Sequence, residues 1–478
     1  MVLQTASASE LPPEYTDEEK SSRKIFLEKI LEKVEFTFVF VSFFFFTDAV
    51  TMVVLSGGAS EGDGFSYDSV NYTIVHLFYV IHNFLTILLV ACRYKRTLYI
   101  LLSNPVLIAA SAMVGLSFLW SFVPDQSLSA GIFATCNVLF SIYLAGRYTL
   151  KQQITILSYV LLTIAILNFV FVYALPQYGI MGPPVHAGAW RGVFTHKNGA
   201  GKMMVLTCGV MYTMFNEVKN KRLKWLYALG LLLALQMINK TGSGGALLNS
   251  VFILTIVTLL QVFKTETRKL LLSLIFLISA AIFIAVAYVP LMTFALGLIG
   301  KDATLTGRTD IWEYIYTMIG HRPVLGYGLG GFWHGTAGPS LYVWQRAGWK
   351  VPDAHHGFLD MTLQIGILGS VIVCLGLWQT LLRGLARTRL FKTWISSWPA
   401  SYVLYIVLIN LAESSLLAPN SIFWILICTM GFTTSFEAKY LTDFDRFTLA
   451  GNSNLMGDEI MGKLKSSERA KTTTPMSI

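Results

Sequence analysis

Charged residues are scarce in this sequence: Asp, Glu, Lys and Arg make up 13% of 478 residues, about half the roughly 25% of an ordinary soluble chain. Together with 54% hydrophobic and 13% aromatic residues, that scarcity excludes a soluble globular domain and places the chain in a membrane. Cysteine is scarce as well. Cys92, Cys136, Cys208, Cys374 and Cys428 sit in or beside apolar runs with no paired spacing, which excludes a disulfide framework or a cysteine metal site and reads as small core hydrophobes. Residues 1–33 contain no apolar core followed by a cleavage site, so no secretory signal peptide is expected. Nucleotide fingerprints are missing too: Gly326-Tyr327-Gly328-Leu329-Gly330-Gly331 follows no strand, and Thr241-Gly242-Ser243-Gly244-Gly245 lacks the Lys-Ser/Thr of a P-loop. Both read as tight turns that allow close backbone approach.

What is abundant is long apolar sequence. A helix needs about 20 apolar residues to cross a hydrocarbon core of about 30 Å, and unpaired strands are excluded because lipid offers their edges no partner. By that criterion about twelve spans are expected, at 34–55, 71–92, 98–121, 128–146, 152–175, 198–216, 223–239, 245–263, 270–290, 357–382, 398–416 and 420–437. The fold class is therefore an all-α polytopic membrane protein. Alternate short loops carry the basic residues, such as Arg93, Lys95 and Arg96, then Arg147 and Lys151, then Arg383, Arg387 and Arg389. These loops mark the cytoplasmic side, so the net charge of +9 is topological and implies no nucleic acid. Both termini are then cytoplasmic.

Three regions follow: a tail, 1–33, ending in an interfacial helix; a membrane domain, 34–437; and a polar tail, 438–478, without an apolar face and expected to be disordered. Within the membrane domain the segments 176–197 and 291–356 fall on the outer face. The second exceeds sixty residues, too long for a plain connector, and its residues Ile311, Ile315, Met318 and Ile319 follow helical spacing. They predict an amphipathic helix lying on the membrane surface.

The candidate chemistry also collects on that face. His186, His196, His321, His334, His355 and His356 lie there with Arg191 and Arg308. Arg191 and His196 precede one span, and His355 another, so both motifs sit at helix N-termini, which bind anions; an arginine fork fits phosphate oxygens. Two readings fit the arginines, a diphosphate site or snorkelling to lipid headgroups. Histidine near its ordinary pKa of about 6.5 can take a proton from a hydroxyl, and it can also serve as a plain hydrogen-bonding residue. Neither spacing nor a further ligand cluster supports a metal at His355 and His356 with Asp353 or Asp360. Glu413, at the outer end of a span, has a site role or an arginine partner as its alternatives.

These motifs resemble the bacterial O-antigen ligase and Wzy-type polymerase superfamily, particularly its exopolysaccharide-polymerase branch. The likeness rests on Trp190-Arg191-Gly192 through His196-Lys197-Asn198, on Gly307-Arg308-Thr309-Asp310, on Gly326-Tyr327-Gly328, and on Ala354-His355-His356-Gly357. The family's third motif usually reads Ala-His-Asn, and His356 stands where Asn is common. The resemblance implies a fold similar to GT-C glycosyltransferases at the bacterial inner membrane, with the active site facing the periplasm. It also implies an undecaprenyl-diphosphate-linked oligosaccharide as donor, a glycan acceptor, other polysaccharide-assembly proteins as partners, and no cofactor. Carried onto this chain, Arg191 and Arg308 would hold the diphosphate and His355 would activate the acceptor. Lys197, Asn198, His196, Trp190, Tyr327, His356 and Glu413 would line the substrate.

Overall fold

The computed structural model describes residues 17–50, 73–183, 186–266, scattered positions in 268–279, and 307–411, 413–418 and 420–449, with the backbone alone at 17–25, 307–309, 337 and 441–449. The expected span 270–290 and the segment 291–306 lie largely outside these residues, as do residues 1–16 of the first tail and the end of the second.

Among the described residues all regular elements are helices: α1 (Asp17–Phe46), α2 (Thr73–Cys92), α3 (Tyr94–Leu101), α4 (Pro105–Gly115), α5 (Pro124–Arg147), α6 (Leu150–Ala174), the short α7 (Pro176–Gly179), α8 (Lys197–Glu217), α9 (Lys221–Thr241), α10 (Gly244–Val262), α11 (Gly307–His321), α12 (Ser340–Ala347), α13 (Gly357–Phe391), α14 (Trp398–Ile409) and α15 (Ile422–Leu449). Five are long and apolar enough to cross a membrane, namely α2, α5, α6, α10 and α13. A bent pair, Tyr94–Leu101 with Pro105–Leu119, makes a sixth if it counts as one span. The chain is thus an all-α polytopic membrane protein, with fewer qualifying spans among the described residues than the twelve expected of the whole chain. The bend explains one difference. Where a straight span over 98–121 was expected, the two helices meet at 95°, because Pro105 has no N–H to continue the ladder and Asn104 starts a new helix by accepting from Leu107 N–H at 3.1 Å. The buried Asn104 amide also donates to Ser435 at 2.8 Å, fixing the corner against α15.

Local rules place the other boundaries. Thr149 and Gln152 form a reciprocal capping box at the start of α6. Gly242, in the left-handed conformation, ends α9, and Ser243 caps α10, so the 241–245 glycine stretch is a turn. The interfacial helix and the first span are one continuous helix, α1, with Leu27, Leu31 and Val34 exposed. At the other end α15 runs on to Leu449, past the boundary expected at 437. Of the cysteines, Cys136, Cys208 and Cys428 are buried, whereas Cys92 and Cys374 lie on exposed apolar faces, and all five are free thiols.

Two cores result. The larger runs through the helical bundle; the smaller gathers Ile311, Ile315, Met318, Tyr327, Phe332, Val343, Val351, Ala354 and Leu363. The smaller one corrects the expectation for α11. Its apolar face covers protein, while Glu313, Tyr316 and Thr317 are exposed, so it belongs to a cap layer rather than lying on a membrane surface. Helix α13 connects the layers and is interrupted at Gly366 (φ 68°, ψ −178°). Residues 323–328 fill the break: Tyr327 and Gly328 N–H donate to the carbonyls of Leu363 and Gln364 at 2.8 and 2.9 Å, and Ile367 and Leu368 N–H donate to Pro323 and Val324 at 2.8 and 3.2 Å. Beyond the break Ile367, Val371, Leu375, Trp378 and Leu382 form an exposed apolar stripe, as a lipid-facing helix requires. Before the break Leu363 packs in the smaller core and Met361 and Ile365 in the larger, so the first turns of α13 join the two.

Candidate functional site

The strap formed by 353–356 packs on α11, and the helix that follows the first motif is linked to it through the 410–415 turn. The strap is fixed at each residue. Trp312, one helical turn beyond Arg308 in α11, donates its indole N–H to Ala354 O at 3.0 Å, and its ring lies edge-on to His356 at 5.4 Å. His355 has a left-handed backbone, φ 47°, costly for a residue with a Cβ, and its N–H donates to Asp353 Oδ1 at 2.7 Å. The same carboxylate oxygen lies 3.4 Å from His355 Nδ1, and the His355 ring stacks on Trp349 at 6.5 Å.

His356 takes a different part. Its Nδ1 accepts the Leu359 N–H at 3.4 Å as the N-cap of α13, and burial lowers its pKa from the ordinary histidine value. A neutral imidazole with Nδ1 unprotonated is what that cap needs. One turn further, Asp360 accepts the Trp333 indole N–H at 2.6 Å and the Gln364 amide at 3.2 Å.

The first motif approaches from α8. His196 caps this helix, its Nδ1 accepting from Asn198 N–H at 3.2 Å, and its ring meets His186 at 5.6 Å. Lys197 and Asn198 form the first turn, half-buried. Trp190 packs edge-on against Phe169 and Tyr173, both at 5.7 Å, beneath the Lys240 ammonium. Arg191 is 2% exposed, and its guanidinium donates to the carbonyls of Tyr178, Gln177 and Thr195 at 2.7, 3.3 and 3.4 Å. It therefore ties the turn before α8 to the turn after α6.

The 410–415 turn bridges α8 and the strap. Gly357 N–H donates to Asn410 O at 2.8 Å, and Ser415 N–H donates to the Asn410 side-chain oxygen at 2.7 Å. A Cβ on Gly357 would lie 1.9 Å from that oxygen, so only glycine admits the approach. Ser415 in turn accepts from Lys202 Nζ at 3.0 Å, and the ammonium lies over Phe423. Glu413 stands half-buried in the same turn.

Tyr327 is placed elsewhere. It is 4% exposed in the cap-layer core, its hydroxyl donating to Met318 O at 2.9 Å. Arg308 lies in the first turn of α11, within the backbone-only stretch. No three His, Cys, Asp or Glu side chains converge as metal ligands among the described residues.

Residues 229–374 match the family model Wzy_C, O-antigen ligase. Over that stretch the chain is similar to O-antigen ligases. It is also similar to the exopolysaccharide production protein ExoQ of Rhizobium meliloti (strain 1021), at 27% identity over 121 residues, which is 23% of this chain and 26% of that protein. The alignment thus spans about a quarter of that relative's length. The matched residues take in Arg308, Tyr327, His355 and His356, while Arg191 through Asn198 and Glu413 lie outside them. Asn410 and Ser415 link Gly357, inside the match, to Lys202 of α8, outside it.

Three contributors escaped the motif reading: Lys202, Asn168, whose side chain accepts Val193 N–H at 2.9 Å, and the orienting role of Asp353. Lys202 and Asn168 stand inside expected spans, and an ionisable or polar residue in an apolar run is itself a signal.

Proposed function

We propose that the chain is a metal-independent glycosyltransferase that takes its glycan from a lipid diphosphate and polymerises repeat units into exopolysaccharide or O-antigen at the outer face of the inner membrane. One observation carries this reading: a histidine, His355, is held in a left-handed strap with a carboxylate at its Nδ1, and the strap is bonded to Trp312 of the helix whose first turn bears Arg308 and linked through Asn410 and Ser415 to Lys202 of α8.

In the proposed reaction His355 Nε2 takes the proton of an acceptor hydroxyl, and the hydroxyl oxygen bonds to the anomeric carbon of the donor sugar. The bond from that carbon to the diphosphate oxygen breaks, and the diphosphate leaves on its lipid. Cationic groups stabilise the leaving charge in a site of low dielectric. Arg308 and the ammonium groups of Lys197 and Lys202 would face the diphosphate. Arg191, with donors already on three carbonyls, would contribute its charge from behind and hold the turn that presents Lys197 and Asn198. His196 and Trp190 would support the same turn and Glu413 the opposite wall, while Tyr327 and His356 act through packing and capping.

The test is polymer formation by purified variants given undecaprenyl-diphosphate-linked repeat units. His355→Ala is expected to lose roughly 10² to 10⁴ in rate while retaining donor binding; near-normal turnover would sink the base assignment. The family description favours a second reading, transfer of finished glycan to lipid A-core. A deletion strain separates the two: loss of a polymerase leaves single repeat units, and loss of a ligase leaves long chains on the lipid carrier.

A further inference from the structure

We infer that Asp353 is a positioning residue that holds the His355 imidazole with Nδ1 toward its carboxylate and Nε2 toward the acceptor. The inference rests on the reading of His355 as the base. Asp353 Oδ1 serves two groups of the same residue, the backbone N–H at 2.7 Å and Nδ1 at 3.4 Å. The first contact closes a short side-chain-to-backbone turn that sustains the left-handed φ of 47°. The second, an ion-pair approach, favours one tautomer: a carboxylate accepts only, so a hydrogen on Nδ1 is favoured and Nε2 is left with its lone pair. Once Nε2 has taken the acceptor's proton, the imidazolium faces a full negative charge on a partly exposed carboxylate, an attraction that solvent screens in part. Trp349, stacked on the ring at 25° between planes, limits rotation about the remaining bond.

The other nearby carboxylate is committed elsewhere. Asp360 accepts from Trp333 and Gln364, bonds that hold the cap layer. His356 turns its Nδ1 to the helix N-terminus.

Asp353→Asn separates turn from charge. The amide oxygen still accepts the His355 N–H, so the backbone turn survives, whereas the imidazole loses its anionic partner. With lipid-linked repeat units as substrate, Asp353→Asn is expected to keep the donor KM within about twofold and to lower kcat roughly 10- to 100-fold, a share of the 10² to 10⁴ assigned to the base itself. In single-turnover measurements at high enzyme concentration, Asp353→Asn should add almost nothing in a His355→Ala background, since a residue acting through another has no effect once that one is gone. Thermal unfolding of Asp353→Asn should match the wild type, and Asp353→Ala should unfold earlier. Full turnover by Asp353→Asn, or an equal loss with and without His355, overturns the positioning role while leaving the base in place. Undiminished turnover by His355→Ala overturns the base and Asp353's role with it.

Discussion

Adjacent histidines, chemically identical, are given different work by the backbone. His355 sits at a left-handed φ with a carboxylate partner, and His356 in extended conformation caps α13. The cap reading has a consequence for pH. Burial lowers the folded-state pKa of His356 below the ordinary 6.5, so the unfolded chain binds the proton first. Stability is therefore full above about pH 6.5 and is lost as pH falls below it toward the folded-state pKa. Protonation also removes the lone pair that accepts Leu359 N–H. Asn at this position accepts the same N–H and does not titrate. His356→Asn is thus expected to keep the unfolding temperature at pH 7.5 and to flatten its decline between pH 6.5 and 5, whereas His356→Ala should cost about 0.5–2 kcal/mol at pH 7.5 and less as the wild-type cap is protonated. An unchanged acid decline in His356→Asn would disprove the cap reading. It also accounts for the residue's place in a motif where Asn is common, since both side chains can do this task.

Among the elements, α13 does most to position the site, because it is broken. A helix interrupted at Gly366 leaves carbonyls and N–H groups without partners, and the 323–328 segment satisfies four of them. The approach is close enough that side chains are excluded. A Cβ at Gly366 would lie 2.1 Å from Val324 O, and one at Gly326 would lie 2.6 Å from Gly366 N and from Leu363 O, with both glycines at positive φ. Gly366→Ala and Gly326→Ala are each expected to destabilise by at least the 1–3 kcal/mol of backbone strain, and to loosen the strap carried by the first turns of α13. Gly245→Ala is the control: its Cβ meets nothing within 4 Å in a helical position, so it should be neutral or stabilising by about 0.4–1 kcal/mol. Equal thermal shifts for all three would contradict the inserted-loop account.

Across the whole molecule, polar groups divide between two ends. At the end away from the strap, the buried Glu35 carboxylate is bonded by both Arg93 and Arg147, joining α1, the turn after α2, and the end of α5. Arg387 pairs with Glu437 at 2.6 Å, joining α13 and α15. Basic residues that orientation arguments treat as topological are therefore also structural. If this end is cytoplasmic, as their distribution implies, reporter fusions after Lys221 and after Arg387 should report the cytoplasm, and a fusion after Tyr342 in the cap layer should report the outer side. A cytoplasmic signal from Tyr342 would separate the strap from a donor displayed outside and end the proposed mechanism.

Residue order by itself determined the membrane class, the helical state and most helix positions. These follow from local quantities, apolar run length and the cost of bare backbone in lipid. It also marked the stretches that converge, through histidine and arginine placed beside apolar runs. Only the tertiary structure decided what each residue does there. Sequence spacing carries no information about a carbonyl many positions away, and such partners set the roles: those of Gln177, Tyr178 and Thr195 for Arg191, that of Met318 for Tyr327, and that of Asn410 for Gly357. The periodicity of α11 likewise showed an apolar face but not what covers it, because lipid and a protein core satisfy such a face equally well; the packed partners Val343, Val351 and Leu363 made it protein.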